Sequence, residues 1–221
     1  SGVVIPGTLF YIAASKVPAG ILSLSVAFVP MLTYVSSLYL KIETFSLLRI
    51  LGVFLGFIAI FLLIGPPDSF ADRSMVPWVL IAMICPICYT FENVFIDVKK
   101  PIEVNSITLA LGSSAITILI LLPIIFYFEL FIDIKYPFQK IEFSIIALGF
   151  ITAVAYTLFI YLITNAGAVF ASNVGYVVTI SGVIWGIVLF QETHSYWVWL
   201  SLITMIVGLS LVSPRRKNKK N

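Results

Sequence analysis

Apolar positions run along this chain in long, nearly unbroken stretches, not in the short alternations that mark half-buried helices or strands. Eight stretches stand out, lettered in order: A 3–15, B 18–40, C 46–64, D 76–97, E 106–128, F 142–164, G 169–190 and H 195–213. A membrane-crossing helix needs about 20 apolar residues. All the stretches except A approach or reach that length. Transmembrane barrel strands alternate apolar and polar residues, so the continuous runs predict helices, whose backbone bonds close within the segment. Charges gather in the short connections between Lys41 and Arg49, Pro66 and Arg73, Asp97 and Glu103, and Glu129 and Glu142. Gly65-Pro66-Pro67-Asp68 breaks C from D. The pattern predicts an all-α integral membrane protein with about seven full spans and one partial span.

Composition agrees with this. Hydrophobic residues make up 61% of the chain and charged residues 10%, whereas soluble domains carry roughly 25% charged residues. The two cysteines, Cys85 and Cys88, sit at i, i+3 inside one apolar run, and the one histidine, His194, lies far away. No metal-ligand set or cofactor motif follows from them, so they read as structural thiols. The basic tail Arg215-Arg216-Lys217-Asn218-Lys219-Lys220 explains the net charge of +3. A basic run after a span reads as a cytoplasmic anchor and not as a nucleic-acid site.

The chain also repeats itself at an offset of 149 residues. Glu43-Thr44 recurs as Glu192-Thr193, Phe10 as Phe159, Ala19 as Ala168, Ser23 as Ser172 and Ser46 as Ser195. A then corresponds to F, B to G and C to H. D and E would have partners before Ser1, so some 70–80 further residues are expected on the N-terminal side. Residues 1–67 read as the C-terminal part of a first repeat, 68–75 as a connecting loop, 76–213 as a second repeat and 214–221 as the tail. Five helices per repeat is an odd number, so the halves must insert in opposite directions, an inverted-topology repeat. Lys and Arg number nine on the tail's side and four on the other, which predicts a multi-pass protein of the cell (inner) membrane with a cytoplasmic C-terminus.

Small residues mark packing faces. Gly175, Gly182 and Gly186 share one face of G with Thr179, and Gly52-x-x-x-Gly56 marks C. Segment D places Cys85, Tyr89 and Glu92 on one face with Asn93 beside them, and Pro86 should kink it. An ionisable residue within a span faces a cavity or a partner. Glu92 is therefore the candidate for contact with a substrate ammonium or for proton coupling, against the plainer reading of a carboxylate paired with Lys99 or Lys100. Tyr89, Asn93, Tyr156, Asn173, Tyr176 and Thr179 complete a candidate substrate lining of aromatic and neutral polar groups. Such a lining suits a modest, amphipathic solute. No Lys or Arg lies mid-segment, which disfavours phosphate-bearing substrates. Glu43 and Glu192 close their helices at opposite faces, where bonds to the first turn of the following helix are expected.

The run Ala168-Val169-Phe170-Ala171-Ser172-Asn173-Val174-Gly175-Tyr176-Val177-Val178-Thr179 resembles the EamA-type family of the drug/metabolite transporter superfamily. So do Gly182-Val183-Ile184-Trp185-Gly186, Glu192 and Gly208-Leu209, and in the first half Pro18-Ala19, Pro30, Glu43 and Gly52. The resemblance implies an inverted-repeat carrier of ten helices, commonly an exporter of amino acids or other metabolites. It also implies a central cavity lined by the helices matching B, D, F and G. The expected function is secondary transport of small organic metabolites by alternating access. The expected partners are that solute, the bilayer and, as one option, a second copy in a homodimer; no nucleic acid, cofactor, metal or catalytic residue is expected. A non-transporting receptor or scaffold is the alternative. An intramembrane enzyme fits poorly, because Ser113 and Ser114 have no histidine at membrane depth.

Overall fold

The computed structural model describes residues 3–70, 72–100, 104–130 and 140–212. The basic tail lies outside them. Among the described residues the chain is helical throughout: α1 (Val4–Ala14), α2 (Ala19–Val26), α3 (Val29–Tyr39), α4 (Leu47–Ile64), α5 (Val76–Ala82), α6 (Ile84–Lys99), α7 (Ser106–Tyr127), α8 (Lys140–Ala166), α9 (Ala168–Ala171), α10 (Val174–Phe190) and α11 (Tyr196–Val212). Among the described residues six units are long and apolar enough to cross a membrane: α2 with α3, α4, the stretch Arg73–Lys99, α7, α8, and α9 with α10. Helices α1 and α11 are apolar but shorter.

Three segments expected as single helices are interrupted, and two of the breaks have one cause. Proline lacks an amide hydrogen, and its ring collides with the carbonyl four residues earlier. Pro30 therefore acts on Val26, where α2 ends, and Pro86 acts on Ala82, where α5 ends. The third break, at Ser172 and Asn173, has no proline. There the Ser172 hydroxyl bonds the Val169 carbonyl at 2.9 Å, and Asn173 and Tyr176 make tighter i→i−3 backbone bonds. Pro123 sits in the last turns of α7 without ending it.

Burial separates the centre from the lipid surface. The α2–α3 unit is 72% buried over its most apolar window, against 6% for α7 and for α8. With no hydrophobic drive between helices in lipid, close backbone approach supplies the packing. Helices α4 and α11 pack most extensively of all pairs. A Cβ on Gly52 would lie 2.5 Å from the Gly208 carbonyl oxygen. At the other end of this contact the Ser201 hydroxyl bonds the Ala59 carbonyl at 2.7 Å. Ser201 and Gly208 stand 149 residues after Gly52 and Ala59. The contact thus reads the same when the two helices are exchanged, as a two-fold relation requires.

The glycine face of α10 packs on α2 and α3. Gly182 meets Ser23, Gly175 meets Pro30, and Gly56 on α4 meets Met31. Thr179 bonds the carbonyls of Gly175 at 2.7 Å and Ser23 at 3.1 Å. Cys85 donates to the Pro6 carbonyl at 3.3 Å, tying α6 to α1.

The two turn glutamates behave differently from each other and from expectation. Gln191 is left-handed at φ 52°, which folds the chain back after α10. Glu192 then reaches the start of α2, not the following helix: Oε1 accepts from the Ala19 amide at 2.7 Å and Oε2 from the Gly20 amide at 3.0 Å. Glu43 instead meets a side chain, the Arg49 guanidinium, at 2.9 Å.

Beside Glu192, the His194 side chain is 1% exposed, with Nε2 3.4 Å from Oε2. Burial pulls the imidazole below its ordinary value, while Glu192 opposes the shift. The folded chain therefore binds fewer protons here than the unfolded chain. This contribution to stability is complete above about pH 6.5 and is lost as pH falls below it. The Tm of purified protein should decline as pH falls below about 6.5. His194→Gln should flatten that part of the curve, and an unaltered curve in the variant would remove His194 as its source.

Candidate functional site

The chemistry concentrates where α6, α7 and α8 meet. The breaker at Met83 re-aims the chain so that α6 turns Cys88, Glu92, Phe95 and Ile96 toward α7 and α1. Together with Leu109, Ser113 and Thr117 of α7 and Val3 and Ile5 at the start of α1, they line a cavity of about 590 Å³. That lies within the roughly 300–1,000 Å³ of small-molecule sites.

Glu92 is the charged group in this lining. Its Oε1 accepts a short hydrogen bond from the Tyr156 hydroxyl of α8. Ser113 of α7 contributes a hydroxyl to the lining of the same cavity. Helices α6 and α8 are thus joined by one polar pair, with a hydroxyl of α7 in the same lining. Among the described residues Glu92 has no Lys or Arg within 4.0 Å, so the pairing with Lys99 or Lys100 is absent. A carboxylate held this way keeps an oxygen for a ligand, since an ionised carboxylate accepts about four hydrogen bonds. Phe91 and Phe95 frame it with apolar surface. The arrangement can bind a cationic or hydrogen-bond-donating head group whose remainder is apolar.

The other expected residues sort by position. Tyr89 stands one turn before Glu92 on α6 and is not among the lining residues. Asn93 points away from the cavity and is 1% exposed, with its Nδ2 unpartnered. Asn173 Oδ1 is also buried without a partner, as are the hydroxyls of Thr33, Ser37 and Thr90. These groups belong to α3, α6 and the α9–α10 break, which pack on one another. Tyr176 packs against the central core. Thr179 lies in the α2–α10 interface, fully buried, with its hydroxyl bonded to backbone. The structure therefore brings Glu92 and Tyr156 together and places Tyr89, Asn93, Asn173, Tyr176 and Thr179 outside the cavity lining. Ser113 escaped the sequence reading as a lining residue; its signal was a hydroxyl at mid-depth in an otherwise apolar span.

Residues 76–213 match the sequence model of the EamA-like transporter family. A comparison with curated proteins gave no match.

Proposed function

Because this chain belongs to the EamA-like transporter family, we propose that it carries a small organic metabolite with an amine or other cationic group and an apolar remainder, an amino acid or an amphipathic amine. The chain is an all-helical, multi-pass membrane protein of transporter type. What carries the finer reading is the Glu92 cavity, with one carboxylate, aromatic walls and no Lys or Arg in its lining. A desolvated carboxylate in such a site favours a cation and penalises an anion. In this reading Glu92 also exchanges a proton against the substrate, with Tyr156 holding it in position.

The cavity is walled by α1 on one side and α6 and α7 on the other, that is, by residues on both sides of the proposed division at 68–75. The exchange-symmetric α4–α11 contact supports two related halves inserted in opposite directions. Such halves alternate by rocking around a fixed site. Export is the direction the reading favours. With protein reconstituted in liposomes, counterflow of radiolabelled amino acids, a quaternary ammonium dye and a nucleotide sugar tests it. Saturable exchange should appear for the amine-bearing classes and not for the nucleotide sugar. Preference for the nucleotide sugar would overturn the cationic-substrate reading.

A further inference from the structure

Glu192 and Glu43 occupy equivalent positions in the two halves, 149 residues apart, yet the structure uses them differently. Glu192 follows α10 in the second half and holds the amides of Ala19 and Gly20 in the first, at 2.7 and 3.0 Å. Gly186 makes this approach possible, since a Cβ there would lie 2.5 Å from Glu192 Oε2. The corresponding contact for Glu43 would be with the amides of Ala168 and Val169, which stand 149 residues after Ala19 and Gly20. That contact is not made. The Ala168 amide is bonded within its own half by Asp97 Oδ2 at 3.0 Å, where Gly167 takes φ 87° to present it. Glu43 is held by Arg49 at 2.9 Å, and the guanidinium stacks 5.2 Å above the Tyr34 ring.

We infer that Glu192 and Glu43 are alternating latches: Glu192 ties the halves together at the end of the bundle holding 191–195, and Glu43, parked on Arg49 in this structure, ties them at the opposite end when Glu192 lets go. The inference rests on the inverted-repeat carrier reading. In such a carrier the second state is reached when the halves exchange conformations, so the engaged and the parked carboxylate exchange roles. Releasing Glu43 from Arg49 breaks a charge-assisted bond, and its capture by two helix-start amides forms others of the same kind. The repeat equivalent of Arg49 is Val198, so Glu192 has no matching cation to be parked on. The latch at the 191–195 end is therefore the one favoured at rest. Both carboxylates are positioning residues, since each acts through backbone amides remote from the Glu92 cavity.

Cys88 lines that cavity and reports which end is open. In a Cys85→Ser background, membrane-impermeant maleimide is applied to proteoliposomes from either side. Glu192→Gln should raise the rate of Cys88 labelling from the 191–195 side by about tenfold. Arg49→Gln, which frees Glu43, should shift labelling in the same direction, and Glu43→Gln should lower it below the parent protein. Should Glu192→Gln fail to fold, Gly186→Ala displaces the same carboxylate and should reproduce its shift. Equal rises from both sides in every variant indicate general loosening and overturn the inference, as does an unchanged rate in all of them. The assay needs no substrate. Flat labelling together with saturable counterflow sinks the latches and leaves the carrier, while side-specific shifts without counterflow of any solute sink the carrier reading alone.

Discussion

Glu92→Gln should lower counterflow of an amine-bearing substrate by about tenfold to a hundredfold and remove the pH dependence of transport. A hydrogen bond to a charged group contributes roughly 1.5–3 kcal/mol, and about 1.4 kcal/mol is a factor of ten. Glutamine keeps the size of the side chain and still accepts the Tyr156 hydroxyl, so folding is not the variable. Tyr156→Phe should give a smaller loss, because it leaves the carboxylate but frees it to rotate away from the geometry set by α8. Substrate counterflow across a pH series reads both variants. A Glu92→Gln protein with the parent rate and the parent pH profile would take Glu92 out of the mechanism.

The largest effect on folding should come from Gly52→Val. A Cβ at this position meets the Gly208 carbonyl oxygen at 2.5 Å and the Val212 side chain at 2.8 Å. Backbone cannot step aside as a flexible side chain can, so α4 and α11 must separate. Overpacking costs about 1–3 kcal/mol and occasionally more, and a backbone collision in the most extensive helix pair belongs at the upper end. A drop in Tm of roughly 10 °C is expected for a chain of this size. Gly149→Val is the control: nothing lies within 4 Å of its missing Cβ, so its Tm should hold or rise slightly as glycine's helix penalty is relieved. Equal Tm values for the two variants would contradict the close approach of α4 and α11.

How far each feature could be read in advance follows from its range along the chain. Helix positions were legible because the bilayer allows no unsatisfied backbone, so each crossing is written as one continuous apolar run. Segment E, for example, is expected over 106–128 and observed as Ser106–Tyr127. The kink in D was anticipated from Pro86, and its placement after Ala82 follows from the reach of the proline ring. The break at Ser172 and Asn173 was not legible, since it depends on a serine choosing a local carbonyl over a continuous helix. Packing glycines were legible as a face, but not their partners.

The site divides the same way. Glu92 and Tyr156 each stand out as polar groups at membrane depth, where such residues are costly. Their pairing spans 64 residues and has no local signature. Thr179 drew attention for the same polarity, yet its hydroxyl is spent on backbone carbonyls between α2 and α10.

By itself the sequence determined that the chain lives in a bilayer, roughly where its apolar segments run, and which residues are too polar or too small to be there without a reason. These are local properties, set by transfer of each side chain into lipid and by backbone bonds closed within a segment. Only the tertiary structure decided which of those residues meet. It joined Glu92 to Tyr156, spent Thr179 on packing, and sent Glu192 to Ala19 and Gly20 while Glu43 went to Arg49. Two carboxylates with the same local sequence take different partners because hydrogen bonds and ion pairs are directional and short-ranged. Their partners are fixed by how whole helices cross, which no single segment encodes.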